Sequence, residues 1–206
     1  MKLVLLGPPG AGKGTVAVKL AQDFNLQHIS TGEIFRAEMK ARTDLGEKIR
    51  KTMDAGILVS DDLTIQVVKP YLDGDIILDG YPRTIPQAED LEKISINSVV
   101  YLAVPDENLV SRLSNRLFCG DCGTLYNLMS SPPQKPGICD NDGSSLLQRE
   151  DDKPEAVERR LKIYHRQTEP LLEFYELRNL LQRVDGSLKS DKVYGLVKGL
   201  IESLRP

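Results

Sequence analysis

The apolar run Leu3-Val4-Leu5-Leu6 feeds directly into Gly7-Pro8-Pro9-Gly10-Ala11-Gly12-Lys13-Gly14-Thr15. A glycine-rich turn between a buried strand and a helix exposes several backbone N–H groups around one small volume, at the positive end of the helix dipole. Such a volume suits a polyphosphate. Lys13 adds a compact mobile charge for the β and γ phosphates, and Thr15 a hydroxyl for a magnesium shell or a phosphate oxygen. The strict phosphate-loop pattern puts Ser or Thr directly after the lysine, whereas here Gly14 intervenes. The match is therefore to a variant of the pattern. A turn of this kind without a ligand would give lysine and threonine no packing reason to keep that register.

Further short apolar runs alternate with helical patterns: Val16 to Phe24 as a helix, Gln27 to Ser30, Ile76 to Leu78, Val99 to Val104 and Leu180 to Val184 as strands. Runs buried on both faces and separated by helices predict an α/β fold, a parallel sheet with helices on either side. Ser30-Thr31-Gly32-Glu33 has the spacing of a capping box, so a helix should start near Thr31 and carry Arg36 on its second turn. Ser60-Asp61-Asp62 reads as the cap of another helix that must stop before Pro70. Residues 31–59 then form an inserted helical flap. Composition shifts at Leu117: from there to about Lys153 the chain holds all three of its cysteines and loses helical periodicity, which predicts a small loop-rich insertion. Pro154-Glu155 opens a helix with Val157, Leu161, Tyr164, Leu171, Leu172 and Tyr175 as its apolar stripe and Arg160 at the edge. A last helix, about Ser190 to Leu204, carries Val193, Leu196, Val197, Leu200 and Ile201 as packing residues.

Within the insertion, Cys119-Gly-Asp-Cys122 is followed by Cys139-Asp-Asn-Asp142. Two turns that each present ligands at i and i+3 can close a tetrahedron, with Asp142 in place of a fourth cysteine. Asp140 fits that turn less well, and hydrogen-bonded turns with free thiols are the alternative. No open coordination position is evident, so the metal would be structural, and a loop-rich insert of this size needs such a tie. Zinc and iron are both compatible with the spacing.

Ile76-Ile77-Leu78 ends in Asp79-Gly80-Tyr81-Pro82-Arg83-Thr84-Ile85-Pro86-Gln87. Ligands of open α/β sheets lie beyond the carboxyl ends of the strands, which places Asp79, Arg83 and Gln87 beside the phosphate loop. Asp79 suits magnesium held through water, Arg83 a bidentate phosphate clamp and Gln87 a base edge.

With these motifs in order, together with Arg112, Arg116, Arg149-Glu-Asp-Asp152 and Arg160 before Tyr164-His165, the chain resembles the adenylate kinases, in particular the bacterial type with a long zinc-binding lid. The resemblance covers essentially the whole chain. It implies a phosphate-loop NTPase-type core with a five-stranded parallel sheet (1–30, 60–116 and 154–206), an AMP-binding flap (31–59) and a zinc lid (117–153). By that resemblance Gly10, Ala11, Gly12, Lys13, Gly14 and Thr15 would contact ATP with Arg116, Leu125, Tyr126 and the backbone at Leu188. Thr31, Arg36, Ile57, Leu58, Val59, Gly80, Tyr81, Pro82, Arg83, Gln87, Arg149 and Arg160 would contact AMP, and Arg112 would lie close to the transferred phosphoryl group. The implied reaction is ATP + AMP = 2 ADP, serving adenine nucleotide homeostasis, with Mg2+ on ATP and a structural Zn2+.

The charges agree with that reading. Phosphoryl transfer between two anionic nucleotides needs several cations to offset repulsion, and Lys13, Arg36, Arg83, Arg112, Arg116, Arg149 and Arg160 supply them. No general base is needed, because a phosphate oxygen is already ionised. His28 and His165 read as structural. Asp151 and Asp152, near the lid hinge, read equally as partners of cleft arginines or as helix N-terminal charges. A net charge of −3 argues against a general nucleic-acid or anionic-membrane binder. The first apolar run is too short for a signal peptide or membrane span. An odd number of cysteines in a reducing cytosol reads as ligands or buried thiols. A cytoplasmic monomer is expected, with ATP, AMP and ADP as partners. Two alternatives stand beside it: a nucleoside monophosphate kinase of other base preference, and a zinc-ribbon ATPase or switch that binds nucleic acid. Against the latter, Phe118 to Glu150 contains only Lys135 and Arg149 as cations.

Overall fold

The computed structural model describes residues 1–204. In chain order its elements are β1 (Lys2–Leu6), α1 (Lys13–Phe24), β2 (Gln27–Ser30), α2 (Thr31–Ala41), α3 (Asp44–Asp54), α4 (Asp61–Val68), β3 (Ile76–Asp79), α5 (Ile85–Leu91), β4 (Ser98–Ala103) and α6 (Asp106–Ser114). There follow β5 (Arg116–Cys119), β6 (Leu125–Asn127), β7 (Leu146–Leu147), α7 (Pro154–Ile163), α8 (Leu171–Glu176), β8 (Leu181–Asp185) and α9 (Ser190–Ser203). Five strands form a parallel sheet in the order β2-β3-β1-β4-β8.

The period-2 alternation of a strand divides the core in two. Leu3, Leu5, Ile77, Val100 and Leu102 point to one face, where they meet Val16, Ala17 and Leu20 of α1 and Val193, Val197 and Ile201 of α9. Val4, Leu6, Ile76, Leu78 and Val99 point to the other, against Val68, Ala88, Leu91 and Leu171. Both faces are covered, which is why the inner strands β1, β3 and β4 read as nearly unbroken apolar runs. Among the described residues no helix is long and apolar enough to cross a membrane.

The carboxyl ends of β1, β2 and β3 stand side by side, with Leu5 opposite Asp79 and Asp79 opposite Ser30. The segment after β2 builds a small core of its own, Phe35, Ile49 and Val59 with Met39, Leu45 and Met53. Thr43 caps α3 by accepting from the Gly46 N–H at 3.0 Å.

Several local expectations are corrected. α2 does begin at Thr31, but Ser30 makes no side-chain cap bond; it is buried, and Thr31 instead donates to the Gly80 carbonyl at 2.8 Å. α4 stops before Pro70, yet Ser60 likewise makes no cap bond. The cysteine-bearing insertion contains an antiparallel sheet, β6-β5-β7, closed over Cys119, Tyr126 and Cys139 with Leu117 and Leu146. Its strands are too short to leave a periodic signal. The apolar stripe from Val157 to Tyr175 is not one helix: α7 passes into a π-helical turn, Tyr164–Thr168, before α8. That turn aims Thr168 at the Arg83 carbonyl, which it donates to at 2.7 Å, and π turns favour such sites. In α9, Leu196 is half exposed while Val193, Val197 and Ile201 are buried.

Candidate active site

A cleft of about 1050 Å³ opens at the carboxyl ends of β1 and β3. Gly12 caps α1 in the left-handed region at φ 94°, with no side-chain cap bond. The conformation suits glycine and leaves the first helical N–H groups for an anion. Lys13 Nζ donates to the carbonyls of Gly7 at 2.7 Å and Pro8 at 3.0 Å, so the ammonium is held across the loop. Burial lowers its pKa from 10.5 to about 8; Arg83, Arg160 and Arg116 add to the effect and Asp79 opposes it. A Cβ at Gly14 would stand 3.2 Å from Asp79 Oδ2. The departure from the strict loop pattern thus faces a carboxylate that needs the room.

Burial by itself would raise the pKa of Asp79, but His28, Lys13 and Arg83 together hold it below the ordinary range. His28 Nε2 lies 3.6 Å from Asp79 Oδ2. Desolvation presses on the imidazolium, and Asp79 and Glu33 more than offset it, so the His28 pKa is raised. His28 does not line the cleft; it stands behind Asp79, a supporting position that agrees with a structural role. Its position on β2, one strand from Asp79, only becomes visible once the strand order is known.

The arginines converge from separate elements. Arg83 Nε donates to Gly80 O at 2.8 Å, while its backbone N–H donates to Gln87 Oε1 at 2.8 Å. Gln87 Nε2 in turn donates to Asp61 Oδ1 at 2.7 Å, and Thr84 Oγ1 donates to the same oxygen at 2.8 Å. The Gln87 carboxamide keeps one N–H and one lone pair for a base. Sequence reasoning missed Asp61 as a positioning residue, because an acid in a first helical turn reads as a dipole partner.

Asp152 is fully buried and accepts from Arg116 Nε at 2.7 Å, from Arg116 Nη2, and from Arg160 Nη1 at 2.9 Å. Arg160 also meets Asp151 Oδ2 at 3.0 Å. Asp151 and Asp152 are thus partners of cleft arginines. Arg112 donates to Gly186 O at 2.9 Å and Ser187 O at 3.2 Å, which ties α6 to the loop carrying Leu188.

Burial and neighbouring cations push Arg83 down to about 10 and Arg149 down to about 9, both still charged at neutral pH. Burial also lowers Arg36, with Asp151 and Glu33 opposing. Arg149 Nε is buried and, among the described residues, without a hydrogen-bond partner, and its guanidinium carbon lies 5.5 Å from the Phe118 ring centroid. A buried guanidinium N–H left open is an anion site in waiting.

The expected ATP contacts, Gly10 to Thr15, Arg116, Leu125, Tyr126 and Leu188, all line this cleft. So do Thr31, Arg36, Ile57, Leu58, Val59, Gly80, Pro82, Arg83, Gln87, Arg149 and Arg160, as well as Arg112 and Asp79. Tyr81 does not: its side chain is fully buried in the core beside Ala88 and Leu91. The turn that exposes Gly80 and Pro82 sends the intervening side chain the other way. His165 is remote from this chemistry, bridging Asp106 at 2.8 Å and Glu169 at 2.9 Å.

The ligand atoms of Cys119, Cys122, Cys139 and Asp142 lie within 4.8 Å of one another. Two matching turns bring them together, with Gly123 N–H donating to Cys119 O and Gly143 N–H donating to Cys139 O, each at 3.0 Å. Gly123 and Gly143 close them at φ 77° and 76°. Asp140 is otherwise engaged, accepting from the Gln134 N–H at 2.9 Å. Three thiols and one carboxylate converging on a point form a donor set that fits zinc.

A family model described as Adenylate kinase matches residues 5–180. An Adenylate kinase of Shouchella clausii is 46% identical over 216 aligned positions, covering 100% of this chain and 100% of the relative. One of Oceanobacillus iheyensis is 44% identical, covering 98% of this chain and 99% of the relative. One of Lachnospira eligens is 44% identical, covering 96% and 98%.

Proposed function

The chain belongs to the adenylate kinase family and catalyses ATP + AMP = 2 ADP as a nucleoside monophosphate kinase; from that premise we propose how its cleft divides the work. The loop Gly10 to Thr15, with Arg116, Leu125, Tyr126 and Leu188, holds ATP. Thr31, Arg36, the backbone from Ile57 to Val59, Gly80 to Arg83, Gln87, Arg149 and Arg160 hold AMP. For Tyr81 the contact is through its backbone. The segments that close on the two nucleotides are residues 31–59 and 117–153, carried on a core of 1–30, 60–116 and 154–206.

The observation that carries this reading is the convergence of Lys13, Arg36, Arg83, Arg112, Arg116, Arg149 and Arg160 on one cleft of an acidic chain. Four of them, Lys13, Arg36, Arg83 and Arg149, have pKa values lowered chiefly by desolvation, so holding them charged in the cleft leaves an electrostatic imbalance. Phosphates relieve that imbalance, and the relief is greatest where charge spreads over the transferred group. The acceptor is an ionised phosphate oxygen, so Lys13, Arg83, Arg112, Arg116, Arg149 and Arg160 catalyse by placement and field, without proton transfer. Closure over both nucleotides keeps water from the γ phosphate.

Adenylate kinases use Mg2+ with ATP. Asp79, anionic and beside Lys13, is suited to hold that ion through water, as a small cation that keeps most of its hydration. Cys119, Cys122, Cys139 and Asp142 would hold zinc as a structural tie in the lid, supplying stability and no chemistry. The three cysteines, unpaired as thiols and gathered into one donor set, suit the reducing cytoplasm.

A coupled assay with AMP, GMP, CMP and UMP as acceptors tests the assignment of the acceptor pocket. AMP should be preferred, and preference for another base would overturn the placement of Gln87 against adenine.

A further inference from the structure

Each of the three sulfurs, and one carboxylate oxygen of Asp142, lies within hydrogen-bond distance of a group other than the metal-facing atoms. Cys122 N–H donates to Cys119 Sγ at 3.4 Å and Ser144 N–H to Asp142 Oδ1 at 2.9 Å. The remaining two partners are hydroxyls: Thr124 Oγ1 stands 3.1 Å from Cys122 Sγ, and Tyr126 Oη 3.5 Å from Cys139 Sγ.

The direction of these two bonds follows from charge. A metal-bound thiolate carries no proton, so the hydroxyl must donate. Both oxygens are turned to do so, because each already accepts from the second cysteine turn. Asn141 Nδ2 donates to Thr124 Oγ1 at 2.7 Å, and the Asp140 N–H donates to Tyr126 Oη at 2.8 Å.

Residues two apart on an extended segment share a face. Thr124, next to β6, and Tyr126, within it, therefore present one hydroxyl to each turn. Three thiolates and a carboxylate around a divalent ion leave net negative charge, with Cys119 and Cys139 both buried. Donors aimed at sulfur lower the cost of that charge.

We propose that Thr124 and Tyr126 are positioning residues of the lid metal centre, whose hydroxyls donate to the Cys122 and Cys139 thiolates and set both the spacing of the two turns and the affinity for the metal. This rests on the reading of the cluster as a zinc site. Tyr126 also lines the nucleotide cleft, so one residue borders both the metal centre and the cleft.

The test is zinc affinity of the full-length protein, measured by competition with a chromophoric chelator, for the unmodified chain, T124V, T124S and Y126F. T124V and Y126F should each bind zinc about 10- to 100-fold more weakly, and T124S, which restores the hydroxyl, should stay within about threefold of the unmodified chain. With Co2+ in place of zinc, loss of a donor to sulfur should move the sulfur-to-cobalt charge-transfer band to lower energy. A merely packing role would lower occupancy without moving the band. If the unmodified chain takes up no zinc, the metal-site reading itself fails. If it binds one zinc and both T124V and Y126F bind it equally well, only the positioning role fails. Loss confined to one of the two removes the other residue from the proposal. T124V, being near the surface end of the strand, carries the test if Y126F does not fold.

Discussion

Asp152 is a fully buried carboxylate that neutralises two cleft arginines arriving from different segments. Asp152→Asn keeps the shape and removes the charge. The Asn oxygen can still accept one bond, but its NH2 faces a guanidinium, and Arg116 and Arg160 are left to repel one another. Removing one partner of a buried ion pair costs about 3–5 kcal/mol. Because Arg116 and Arg160 keep 17% and 16% side-chain exposure, the lower end applies, about 3 kcal/mol. At about 2–4 °C per kcal/mol for a chain of this size, the Tm should fall by about 6–12 °C. Saturating amounts of a non-hydrolysable ATP analogue with AMP bring phosphate charge to the same arginines, so the Tm deficit should shrink when both are present. Turnover should drop by about 10²-fold, since both guanidiniums lose their fixed direction. Thermal unfolding followed by circular dichroism, with and without nucleotides, reads the first two effects and a coupled assay the third. A Tm within about 2 °C of the unmodified chain, or a deficit that nucleotides leave unchanged, would refute the reasoning.

Arg83→Ala should lower turnover by about 10³-fold or more with the fold intact by circular dichroism; near-normal turnover would remove its phosphate role. Burial lowers the Lys13 pKa to about 8, and phosphates favour its charged form, so ATP binding takes up a proton above that pH. By calorimetry, ATP affinity should be flat below about pH 8 and then weaken as pH rises, toward about tenfold per unit; affinity independent of pH up to about 9.5 would contradict this. Cys119→Ser should lower zinc content and the thermal stability of the lid more than turnover at low temperature, and metal analysis finding no zinc in the unmodified chain would end the idea.

What could be read before the fold was known follows a physical division. Apolar runs such as Leu3 to Leu6 reveal a two-sided sheet because burial on both faces leaves no polar alternation. Gly7 to Thr15 and the two cysteine turns are local, so their geometry is written in consecutive residues. The Asp79-to-Gln87 segment was legible only because ligands gather at strand ends. The pairings that make the site work are not local. Asp152 between Arg116 and Arg160, His28 beside Asp79, and Asp61 behind Gln87 depend on strand order and on how α7 crosses the cleft. Tyr81 shows the converse: a residue inside a legible motif whose side chain belongs to the core. The π turn at Tyr164–Thr168 left no mark, because a helical stripe tolerates one extra residue without losing its apolar character.

Product stoichiometry distinguishes hydrolysis from a cleft that is one two-nucleotide site, passing a phosphoryl group straight from donor to acceptor. With ATP, Mg2+ and AMP, the account predicts that each ATP consumed yields two ADP with no inorganic phosphate, and that omitting AMP leaves ATP intact. Release of one inorganic phosphate per ATP, with or without AMP, would contradict it.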